Sequence, residues 1–168
     1  MKHTRFVKAV VAVCAGVLMV AALGGCAQQD TATTQQQSEN RQYMTQVNQS
    51  MDDLKTRLES FTDAVSRGDV VGMRTQADNA FKAIDDLNNI DVPDALKDIQ
   101  AEYVDGSNDL KDALNSYIEL YTEIDSATED QPFDYSTYDQ RIQDIKKQYD
   151  EGIGKLQSGD NKATELPK

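Results

Sequence analysis

Residues 44–65 read MTQVNQSMDDLKTRLESFTDAV, and their apolar members Met44, Val47, Met51, Leu54, Leu58, Phe61 and Val65 recur at spacings of 3, 4, 3, 4, 3 and 4. A helix turns once every 3.6 residues, so this spacing lays all seven on one stripe. A first amphipathic helix is therefore expected near 40–66. Arg67-Gly68-Asp69 breaks the pattern, with glycine suited to the left-handed position after a helix and aspartate to the cap before the next.

The same phasing returns three times. Val70, Met73, Ala77, Ala80, Ile84 and Leu87 mark a second helix, which ends in Asn88-Asn89-Ile90-Asp91-Val92-Pro93. Leu96, Ile99, Tyr103, Gly106, Leu110, Ala113, Tyr117, Leu120 and Ile124 mark a third, near 93–126 and about 50 Å long at the helical rise. A fourth has Ser136 as its expected cap and Tyr135, Tyr138, Ile142, Ile145, Tyr149, Ile153 and Leu156 as its seam; from Ser158 onward the tail is polar. Four amphipathic helices on short loops imply an all-α fold, an antiparallel up-down four-helix bundle with coiled-coil-like seams. An extended hairpin of helices one and two, apart from three and four, has the same periodicity.

The chain has 168 residues, and its first 25 hold Lys2, Arg5, Lys8, the lone histidine His3, Cys14 and no acid. The other 143 carry 14 basic and 29 acidic side chains, a formal charge of −15. Leu, Ile, Val and Phe make up only 26 of these 143, a fraction that signals disorder in a highly charged chain unless the apolar residues are phased, as they are here. Without histidine and with one cysteine, Cys26, this part lacks the groups for His-based acid/base catalysis, His-ligated zinc or a Cys–His nucleophile. Its charge argues against nucleic acid, whose phosphates need clustered Lys and Arg. No enzyme, cofactor or metal is expected, and a monomer is.

At the N-terminus, Met1 to Lys8 is cationic, Ala9 to Leu23 is uncharged and apolar, and the run closes on Leu23-Gly24-Gly25-Cys26. This resembles a bacterial lipoprotein signal peptide ending in a lipobox. The resemblance implies that Cys26 carries a diacylglyceryl lipid, that residues 1–25 are removed, and that the mature protein sits on the outer side of the cell membrane; two acyl chains suffice for stable anchoring. The whole chain is similar to small helical-bundle surface lipoproteins of bacteria, Gram-positive ones in particular, a likeness that supplies no functional residues beyond the lipobox. An uncleaved membrane anchor over 9–27 is the competing reading, since that run just reaches the length of a spanning helix. The expected layout is a signal peptide over 1–25, lipidated Cys26 with a disordered tether to residue 40, a bundle over 41–157 and a polar tail over 158–168.

Three features are candidates for function. Asp98, Glu102, Asp105, Asp109, Asp112, Glu119 and Glu123 form an acidic flank on helix three, expected to face solvent and to be partly neutralised by Arg141, Lys146, Lys147 and Lys155. Gly106 sits on an apolar seam, where it either admits close approach of a neighbouring helix or marks a kink. Tyr117, Tyr121, Phe133, Tyr135 and Tyr138 gather around the turn between helices three and four, as core residues with hydroxyls at the rim or as an exposed recognition patch. If helix one leaves the membrane outward, this aromatic set lies far from the lipid, and partner contact is expected there. The functional expectation is a non-catalytic binding or structural module of the cell envelope, its partner an unidentified protein or small ligand. The alternative is an accessory lipoprotein that captures a small ligand or cation for a transporter.

Overall fold

The computed structural model describes residues 31–166, which are helical and contain no strand. Leu23, Gly24, Gly25 and Cys26 lie outside the described residues, as does the apolar run before them. Four long helices pack against one another: α1 (Thr31–Arg67), α2 (Val70–Asn88), α3 (Lys97–Asp125) and α4 (Tyr138–Thr164). A short 3-10 turn, Asp94–Leu96, precedes α3. No helix among the described residues is long and apolar enough to cross a membrane.

The core is built from the expected stripes. Val47, Leu54 and Phe61 of α1, Met73, Ala80 and Ile84 of α2, Leu110, Tyr117 and Leu120 of α3, and Ile145, Tyr149 and Leu156 of α4 are all buried in one cluster. Between α1 and α2 the chain reverses through Gly68, the one glycine with a positive φ among the described residues, at 66°. The amide of Gly68 donates to Val65 O and that of Asp69 to Ala64 O, both at 3.1 Å, closing α1 with paired hydrogen bonds to its last carbonyls. The Asp69 carboxylate then accepts from the Gly72 amide at 2.8 Å and caps α2.

Three expectations on boundaries are corrected. The tether is not disordered over 31–40, because α1 begins at Thr31. Gln and Glu are good helix formers, Gln35 donates to Glu39 one turn on at 3.1 Å, and extending a nucleated helix costs little. Secondly, α4 starts at Tyr138 rather than at a Ser136 cap. The Asp134 carboxylate accepts from both the amide and the hydroxyl of Ser136, at 2.9 and 2.6 Å, and this local turn takes the backbone a helix would need. Tyr135 is consequently off the seam and 70% exposed.

The third correction concerns the C-terminal tail, which is helical to Thr164 and packed. Gly159 and Ala163 continue the 3, 4 spacing from Leu156 and are buried. Being small, they carry no apolar signal of their own. Gly159 makes room for the Tyr103 ring: a Cβ there would lie 2.9 Å from ring atom Cε1.

Gly106 serves close packing. A Cβ on it would come within 2.7 Å of Gly152 O, and one on Gly152 within 2.8 Å of Gly106 O, so the α3 and α4 backbones touch where both side chains are missing. The helix α3 continues through Gly106 without interruption.

Candidate functional site

Tyr117, Tyr121 and Tyr138 are core residues, 2%, 7% and 7% exposed, which corrects the expectation of one exposed aromatic patch. Tyr117 stacks on Tyr121 at 4.9 Å between ring centroids and meets Phe61 of α1 edge-on at 5.9 Å. Burial pushes the Tyr117 phenol far above its ordinary range, and a hydrogen bond with Tyr121 adds to this. Burial raises Tyr121 and Tyr138 as well. Of this aromatic set, only the loop supplies accessible surface: Phe133 is half-buried and meets the exposed Tyr135 edge-on at 5.0 Å. The interior around Tyr117 holds an apolar cavity of about 10 Å³ between Leu58, Phe61, Leu114 and Tyr149, room for one water at most.

The acidic flank of α3 divides in two. Glu123 takes a two-point hydrogen bond from Arg141 at 2.5 and 2.9 Å, Asp109 pairs with Lys155 at 2.7 Å, and Glu102 pairs with Lys162 at 2.5 Å. These hydrogen bonds hold the Glu123 and Glu102 carboxyls below the usual carboxylate range. Asp98, Asp105, Asp112 and Glu119 face solvent. Of the expected cations, Arg141 and Lys155 do reach across, but Lys146 and Lys147 pair within α4, with Asp150 and Glu151. Lys162, from the stretch expected to be a loose tail, takes their place.

A recess of about 560 Å³ opens between α1, the end of α2 and the loop before α3, at residues that no sequence motif marks. Tyr43, Ile90, Val92 and Pro93 give it apolar surface, and Glu39, Asp86 and Asp91 stand around it as exposed carboxylates. Its three walls are separate in sequence, so only the absence of a basic residue over 83–96 hinted at it.

The chain matches no protein-family model, no curated protein and no solved structure.

Burial holds the phenols of Tyr103 and Tyr117 protonated; across the helices Lys155, Lys162 and Arg141 pair with carboxylates, whereas Arg74 donates to the Thr122 hydroxyl at 2.7 Å.

Proposed function

We propose that this chain is a membrane-anchored extracytoplasmic lipoprotein whose helical domain is a monomeric, non-catalytic binding or structural module of the cell envelope. The observation that carries the reading is the apolar N-terminal run ending in Leu23-Gly24-Gly25-Cys26. A thiol is a soft nucleophile able to accept a diacylglyceryl group at a fixed place, and small neighbours let the backbone enter a peptidase cleft. The helices form an antiparallel up-down bundle with coiled-coil-like seams, an arrangement supported by the reverse order in which Glu102, Asp109 and Glu123 of α3 meet Lys162, Lys155 and Arg141 of α4. The helical stretch from Thr31 supports a short linker, so that the domain stands close to the lipid surface. With one cysteine and no histidine after residue 25, the module has no nucleophile–base pair of the common kinds.

Mass spectrometry of the N-terminal peptide from membrane-purified protein tests the proposal. Residues 1–25 are expected to be missing and Cys26 to carry diacylglyceryl. An intact N-terminus, or Cys26 with a free thiol in the membrane fraction, overturns it.

A further inference from the structure

Two large apolar side chains are exposed among the described residues, Val71 at 77% and Tyr135 at 70%. Both stand at the same end of the domain. Arg74 of α2, three residues after Val71, donates to the Thr122 hydroxyl near the end of α3, and Glu123 of α3 meets Arg141 near the start of α4. These contacts bring together the start of α2, the end of α3 and the loop that leads to α4. Around the recess between α1 and the loop before α3, by contrast, Tyr43 is buried and Ile90, Val92 and Pro93 are half-buried.

The α3–α4 loop holds Tyr135 out on a fixed frame. The Gln131 amide donates to the Thr128 hydroxyl and the Thr128 amide to Gln131 O, both at 3.1 Å. Beyond Pro132, Asp134 O accepts from the amide and the hydroxyl of Thr137 at 3.2 and 2.9 Å. Phe133 packs against the core and meets Tyr135 edge-on, so one ring anchors the loop while the other projects into water. A loop already ordered loses less freedom on binding, and an exposed tyrosine is an effective anchor for a partner.

The charge around Tyr135 selects the partner. From residue 112 to residue 140 the chain has no Lys or Arg. Asp125, Glu129, Asp130 and Asp134 are exposed in and beside the loop, and none of them pairs with a cation among the described residues. Hydrogen bonds from Ser136 hold the Asp134 carboxyl below the usual range, so it is ionised at neutral pH. Such a surface repels phosphate-bearing polymers and anionic membranes and attracts cationic ones. The aromatic ring discriminates further, because a planar guanidinium stacks on its face and forks onto a carboxylate, whereas an ammonium is compact and strongly hydrated.

We propose that this end of the domain, centred on Tyr135 with Glu129, Asp130 and Asp134, is where a protein partner docks through an exposed arginine-rich segment. One guanidinium stacks on the Tyr135 ring and others pair with the carboxylates. The inference rests on the binding-module reading and names the chemistry of its partner. It makes no use of the lipid on Cys26, so the test of the anchor and the test of this surface fail independently.

The test is the fluorescence anisotropy of a labelled hexa-arginine peptide titrated with the full chain, at an ionic strength of roughly 150 mM that screens distant charges. Saturable binding at one site is expected, about threefold tighter than that of hexa-lysine. Glu129→Gln with Asp130→Asn weakens it by about tenfold. Tyr135→Ser weakens the arginine peptide by about threefold and removes its advantage over lysine. Asp52→Asn with Glu59→Gln takes the same charge from exposed positions on α1 and leaves the affinity within about twofold. All five positions are exposed, and circular dichroism verifies that each variant folds. Absence of saturable binding overturns the proposal, as does equal weakening in the two double variants, which would mean unlocalised attraction to an acidic protein. Hexa-lysine binding as tightly as hexa-arginine, or an arginine preference that survives in Tyr135→Ser, overturns it as well.

Discussion

Gly106 and Gly152 face each other across the α3–α4 seam, each occupying the space into which the other's Cβ would project. The contact is backbone against backbone, with the Leu156 and Leu110 side chains also 3.0 Å from the two missing methyl positions. Neither backbone can yield without moving a helix.

Gly106→Ala and Gly152→Ala are therefore expected to destabilise the domain, although alanine is the better helix former by about 1 kcal/mol. Overpacking of this kind costs about 1–3 kcal/mol and outweighs that gain. Gly154 is the control: it is exposed on the same helix as Gly152, and nothing lies within 4 Å of the position its Cβ would take. Gly154→Ala is accordingly expected to raise stability by up to about 1 kcal/mol. Chemical denaturation of the three variants checks the sign of each.

Asp160 makes stability depend on pH in the unusual direction. The Tyr103 hydroxyl donates to its carboxylate at 2.8 Å, yet burial prevails and raises the Asp160 pKa above the ordinary 3.8. The folded state thus holds this proton more tightly than the unfolded chain. Its contribution to stability is fully present below the unfolded pKa and is lost as pH rises through the folded one. Asp160→Asn is expected to gain stability relative to the parent as pH climbs through and above the carboxylate range. Paired denaturation profiles measure this; a difference that is flat with pH would contradict it. Tyr103→Phe removes the hydrogen bond that opposes burial, so the Asp160 carboxyl, followed by NMR, is expected to titrate higher still.

Asp69→Ala removes the side chain that caps α2. The Gly72 amide then loses its acceptor, and a loss of about 1 kcal/mol is expected in thermal or chemical denaturation. Asp69→Asn, which keeps a cap acceptor, is expected to recover most of it.

The two halves of the acidic flank are expected to respond differently. Asp98, Asp105 and Asp112 face solvent, and each stands three or four positions from Glu102 or Asp109, a like-charge repulsion of roughly 0.2–0.5 kcal/mol per pair. Replacing all three by Asn is expected to leave the melting temperature equal or slightly higher at low salt. Glu123→Gln breaks the two-point contact with Arg141, and a lower melting temperature is expected.

Much of this molecule was determined by sequence alone. The four helices, the stripe each buries, and the Gly68–Asp69 turn follow from relations between residues a few positions apart, where helical geometry makes spacing equivalent to facing. The boundaries at Thr31, Tyr138 and Thr164 were less legible, because they depend on how far a packed helix propagates and on whether Asp134 folds the chain locally. Tertiary structure alone decided the rest. Tyr117 is interior because Phe61 of α1 and Ile145 and Tyr149 of α4 close around it; its amphipathic ring, like those of Tyr121 and Tyr138, suits a core or a binding surface equally well. Gly152 and Gly159 gain meaning only when Gly106 and Tyr103 arrive opposite them. The same holds for Glu39, Asp86 and Asp91, which share a recess because three segments distant in the chain converge. The physical reason is that a residue's own helix sets the face it lies on, whereas its chemical environment is set by whichever other face packs there.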